Sequence, residues 1–166
     1  MSLAPITSNL GVSRAKHLLR RACFHYNKNL LYTISNLNVD EALEVLTQDN
    51  SIAYTEPYDP KPNDNPHGYW LSSNTYPPDV PNQGRKRGLI SQWWFYNMIS
   101  RNNLKDKLLF FLHSTFTIAN GQAGASHYFY DHLRLLNHFS DGSIKDLAKK
   151  ITLDNAMLNY LDNTQN

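Results

Sequence analysis

Leu104-Lys105-Asp106-Lys107-Leu108-Leu109-Phe110-Phe111-Leu112-His113-Ser114-Thr115-Phe116-Thr117-Ile118 decides the fold. Leu104, Leu108, Leu109, Phe111, Leu112 and Phe116 recur at helical spacing and cover most of the circumference. That pattern predicts a central helix, because a helix apolar nearly all round has to be buried. Asn120-Gly121 and Gly124 mark the break after it.

The flanking sequence repeats the helical signature. Downstream, a helix is expected from Ser126 to Phe139, then an Asp141-Gly142 turn. Ser143 caps a helix reaching Thr152, and Asp154 caps a last one through Leu161. Upstream, Leu89, Ile90, Trp93, Trp94 and Ile99 make the apolar face of a helix running from about Lys86 to Asn102 or Asn103. Near the start, Ser13 is expected to cap a helix to Phe24 whose Val12, Ala15, Leu18, Leu19, Ala22 and Cys23 share one arc. Arg14, His17, Arg20, Arg21 and Phe24 fall on the other side. Short helices follow at Lys28–Ser35 and Asp40–Gln48. No stretch alternates with period two. The expected fold is all-α, an irregular bundle of about six to eight helices.

One segment has no helical pattern. Asp49 to Gly84 holds seven of the eight prolines, and proline removes donors and breaks helices. Tyr54, Tyr58, Tyr69, Trp70 and Tyr76 predict a loop that packs on the body and offers an aromatic contact surface suited to peptide or sugar partners. At 166 residues the chain suits a single helical domain, or the N-terminal part of a larger one.

Composition excludes several classes. Aromatics at 12% are too many for a disordered chain. The single cysteine, Cys23, excludes an internal disulfide framework and is expected to be an inert core thiol. No apolar run is long enough for a transmembrane helix, and the first residues lack a signal-peptide pattern, so the default compartment is the cytoplasm. Arg85-Lys86-Arg87, Arg101, Lys105 and Lys107 surround Trp93 and Trp94, as in some single-strand nucleic-acid sites. The net charge of +2 is too small for that partner, and core packing explains the tryptophans.

Candidate site residues come from the helices. His127, Asp131, Arg134 and His138 line up along one helix face, where His127, Asp131 and His138 are the candidates for a shared metal ion. A solvated face accounts for the same pattern, and no metal or cofactor is expected. His132 falls inside the apolar arc and needs a hydrogen-bond partner there. His113 is a candidate oriented base or a structural link between helices. Gly124-Ala125-Ser126-His127-Tyr128 begins like a nucleophile elbow but lacks the closing glycine. Gly121-Gln122-Ala123-Gly124 matches a nucleic-acid GxxG loop without the flanking sheet.

Three segments carry a family resemblance. His17-Leu18-Leu19-Arg20-Arg21-Ala22-Cys23-Phe24 is similar to an "HLLRRAxF" opening, and Leu108 to Phe116 to an "LFxHxxF" segment. Asp154 to Asn163 is similar to "DxAMLxYLDN". Together, in this order, they resemble the bacterial domain-of-unknown-function 1800 family. The chain departs from it at His25, where many members have glycine, and at Ser114 and Thr115, where many have a second histidine. That second loss weakens a histidine-pair metal site at His113. The resemblance implies no activity. It implies that an acidic helix follows in the family, so that a missing C-terminal region would pack on this one. Some members carry export signals.

Two function classes follow as expectations. One is a structural or binding module. The other is a hydrolase-like or metal-dependent enzyme in which His17, Arg20 and Arg21, with His113 and His132, form one wall of a cleft completed by the missing region.

Overall fold

The computed structural model describes residues 7–48, 56–61, 68–71 and 82–163. Among them are eight α-helices and no strand beyond one isolated bridge, so the fold is all-α. Contacts group the chain into two compact units, Met1–Ser51 with Asn97–Lys107, and Ile52–Tyr96 with Leu108–Asn166.

The first unit holds α1 (Gly11–Ala22), α2 (Lys28–Ser35) and α3 (Val39–Thr47). α1 begins two residues before the expected Ser13 cap. Leu10 is its N-cap without a side-chain bond, and Gly11 enters the helix at φ +69°, leaving Ser13 inside the first turn. Its core is Ala15, Leu19, Ala22 and Cys23 against Ile34, Ala42 and Leu46, with Leu104 packed on the edge. Val12, expected on that arc, is 51% exposed. α3 opens with a full capping box, in which Asn38 accepts from the Glu41 amide and Glu41 accepts from the Asn38 amide. Asn103 ties the unit together, donating to the Gln48 carbonyl at 2.9 Å and accepting from the Lys105 amide at 2.7 Å.

Two helices run from one unit into the other, α4 (Gln83–Ser100) and α5 (Leu104–Thr115). α5 is not buried all round as its composition predicts. Leu109 and Leu112 are buried, whereas Phe110 and Phe111 are 46% and 63% exposed. Apolar content sets which residues prefer burial, but neighbours decide which are covered.

The second unit adds a 3-10 turn (Asn120–Gln122), α6 (Ser126–His138), α7 (Ile144–Ile151) and α8 (Asn155–Tyr160). α6 packs on α7 and α8. The expected caps are present: Ser143 accepts from the Asp146 amide, and Asp154 from the Met157 amide at 2.9 Å. Gly124 turns the chain into α6 at φ +76°, where a Cβ would meet Tyr128 and Asn159 at 3.1 and 3.2 Å, so glycine is required twice over. α4 holds this turn. Arg87 donates to the Gly124 carbonyl, and Gln83 accepts from the Ser126 amide.

Of the proline-rich loop, Tyr54 and Tyr76 lie outside the described residues. Asp59 and Gly68 exchange two backbone hydrogen bonds of 2.9 Å. Trp70 and Leu71 are buried, and the Trp70 indole donates to the Ser126 hydroxyl at 3.2 Å. Tyr58 and Tyr69 meet edge to face and remain about half exposed.

Candidate functional site

Several charged groups singled out in the sequence are committed internally. Arg85 and Lys86 both donate to the Asp59 carboxylate, Lys86 at 2.6 Å, and Asp59 and Lys86 are fully buried. The Lys86 ammonium also sits 4.7 Å over the Trp70 ring. Burial pushes the Asp59 carboxyl up, but bonds from Arg85, Lys86 and the Lys61 amide outweigh it and hold the group well below the usual carboxylate range. Arg101 pairs with buried Asp106, and Lys107 sits over Phe24. The basic residues around Trp93 and Trp94 thus serve the protein's own carboxylates, carbonyls and rings. Trp94 is buried, and Trp93 lies against Tyr130.

His132 is equally committed. It is fully buried, with Nδ1 2.9 Å from Asp154 Oδ2 and Nε2 3.1 Å from the Phe116 carbonyl. A carbonyl only accepts, so Nε2 carries a proton and donates it. Nδ1 faces Asp154, whose carboxylate also caps α8. His113 lies beside it, 4.9 Å from the Trp94 ring and 5.6 Å from His132. Its Nδ1 is buried and has no hydrogen-bond partner among the described residues. Burial first, then repulsion from His132, pulls its pKa down to about 4, so His113 is neutral at pH 7.

His17, Arg20 and Arg21 are exposed on α1 in the first unit, and His113 and His132 belong to the second. His17 and Arg21 line a groove of about 580 Å³ on α1; Arg20 does not. Cys23 is 3% exposed. Burial, then Asp106, raises its thiol to about 11, with Lys107 opposing, so it is protonated and inert.

The α6 stripe divides. His127 stacks edge to face on Tyr128 and has its pKa lowered by burial. Asp131 is exposed as a whole, yet its carboxyl is pushed up by desolvation and by Asp154 against the pull of Arg134. Among the described residues no three His, Cys, Asp or Glu side chains come together as a metal site. Arg134 and His138, however, line a polar pocket of about 310 Å³ with Tyr130, Asn137 and Glu56. Tyr130, Arg134, Asn137 and His138 are spaced so that one helix face presents them all. The Arg134 guanidinium lies 5.8 Å from the centre of the Tyr130 ring. Glu56 comes from the proline-rich segment, and its Oε2 is buried with no hydrogen-bond partner among the described residues.

Of these five, the sequence singles out Arg134 and His138 as members of the polar stripe, and does not single out Glu56, Tyr130 or Asn137. Tyr130 and Asn137 had a usable signal in their spacing. Glu56 had none, since it precedes Pro57 in a segment without periodicity.

A family model described as "Protein of unknown function (DUF1800)" matches residues 17–166. Neither the curated proteins nor the solved structures provide a match.

Proposed function

The chain belongs to the DUF1800 family, whose description assigns no activity, and from its own residues we propose that it is a binding module for a small zwitterion. One observation carries this reading: the buried Oε2 of Glu56, without a hydrogen-bond partner among the described residues, lies on a pocket that Arg134 also lines. A buried acceptor without a donor costs about 1–3 kcal/mol. A ligand ammonium supplies that donor, and a ligand carboxylate suits the planar guanidinium fork of Arg134. Tyr130, Asn137 and His138 complete the polar lining. A pocket of about 310 Å³ is at the small end for ligand sites, which favours a molecule of free amino-acid size.

Calorimetry and thermal shift with glycine, glutamate, glucose and inorganic phosphate test the proposal. An amino acid should bind and raise Tm. Glu56→Gln and Arg134→Gln should each weaken binding at least tenfold. Glucose binding as tightly as the amino acids would remove the charge argument.

A second reading is an enzyme, favoured by the presence of a carboxylate and an imidazole, Glu56 and His138, on one pocket. It separates from the first on a simple readout. A bound ligand is recovered intact after dialysis from a binding module and recovered altered from an enzyme.

A further inference from the structure

We propose that the groove along α1 is a second site, which binds an amphiphilic anion: a single carboxylate head on an unbranched apolar tail. The site lies in the first unit and shares no lining residue with the α6 pocket.

Charge at the start of the chain is one-sided. Residues 1–39 contain no Asp or Glu, yet include Arg14, Lys16, Arg20, Arg21 and Lys28. The first nearby acids are Asp40 and Glu41, and the Glu41 carboxylate is engaged by the Asn38 amide. Arg14, His17 and Arg21 lie three and seven residues along α1, so they share one face over about 10 Å of helix axis. Among the described residues none of the three forms a hydrogen bond or ion pair. Two guanidinium groups on one rigid helix face, with no ion-pair partner among the described residues, present a positive potential.

The second element is the floor. Leu10, Leu18 and Val39 line the same groove. Leu10 is 7% exposed, and its amide is fixed to the Leu37 carbonyl at 2.9 Å. Leu18 and Val39 are partly buried against the core cluster. The opposite side of α1 is locked by Ala15, Leu19 and Ala22, so this floor and its rim are preformed.

Charge complementarity and apolar surface together select the occupant. A bare inorganic anion would leave the floor wet. A neutral apolar molecule would leave the cations unused. A flat anionic membrane matches poorly, because Leu10 is buried and Leu18 and Val39 are partly buried, leaving the groove no exposed apolar side chain to insert. A carboxylate amphiphile satisfies both parts. The groove, at about 580 Å³, is roomy enough for a medium-length tail.

The test is calorimetric titration of the 166-residue chain with hexanoate, octanoate and decanoate, each below its micelle concentration. Affinity should rise about three- to fourfold per added methylene until the floor is covered. Octanol should bind at least tenfold more weakly than octanoate, and octyltrimethylammonium not at all. Arg14→Gln combined with Arg21→Gln should lose at least tenfold for octanoate. Lys16→Gln combined with Lys28→Gln removes the same charge outside the groove and should bind like the parent. These are exposed positions, so unchanged circular dichroism and Tm show that each variant folds. The proposal fails if octanol matches octanoate, if chain length has no effect, or if both double variants lose binding alike. It also fails if anionic vesicles capture the chain while monomeric carboxylates do not.

Discussion

Glu56 and Asp59 stand three residues apart on one described segment and meet opposite fates. Asp59 is fully buried and saturated by two cationic side chains and a backbone amide. Glu56 has a buried oxygen with no donor among the described residues. The same contrast separates the two neighbouring histidines. His132 has both nitrogens engaged, whereas His113 Nδ1 has no hydrogen-bond partner among the described residues. Saturated polar groups hold a fold together, because every donor and acceptor is consumed. An unsatisfied one retains capacity for something else.

The largest effect is expected from Asp59→Asn. It leaves the Lys86 ammonium, 0% exposed, without its counter-charge. Removing one partner of a buried pair costs about 3–5 kcal/mol. Urea unfolding should show a loss of that size, and a loss under about 1 kcal/mol would show that Asp59 is not a structural hub.

Next in size is a pH effect at His113. Between its ordinary value of 6.5 and about 4, the unfolded chain takes up a proton at this ring that the folded chain refuses. The contribution to stability is therefore complete above pH 6.5 and declines as pH falls towards 4, by on the order of 2–3 kcal/mol. His132, Trp94 and Phe129 are the rings that face it. Followed by denaturation midpoint from pH 7 to 4, the parent should lose stability relative to His113→Phe, which lacks this titrating ring. Parallel curves would show that His113 titrates normally.

The smallest effect sharpens the comparison from the other side. Glu56→Gln should change stability by less than about 0.5 kcal/mol, since no internal bond to Oε2 is lost. A loss above about 2 kcal/mol in thermal unfolding would mean that Glu56 is bound within the protein, and the α6 pocket would lose its anchor.

What the sequence made legible was local. The α2 range, the Ser143 and Asp154 caps, and the inward Cys23 all depend on residues a few positions apart. The Ser13 cap failed because Gly11, with its positive φ, lets the helix begin earlier. α5 misled for a different reason, since its apolar belt says nothing of which neighbours cover it. Asp59 and Glu56 were illegible because their environments come from α4 and α6, far along the chain. No periodicity in a proline-rich segment encodes such a return. On α6, the stripe through Arg134 and His138 was visible, whereas Tyr130 and Asn137, which line the same pocket, were not singled out.

The lone cysteine acquires a use from its burial. Cys23 is the only thiol in the chain, is 3% exposed, and is held protonated at neutral pH. A thiol reagent can reach it only when the packing of α1 against α2 opens. Its rate of modification is therefore a clock for openings of the first unit alone. The second unit has no thiol to contribute, so chemical labelling can time one half of this protein without sight of the other.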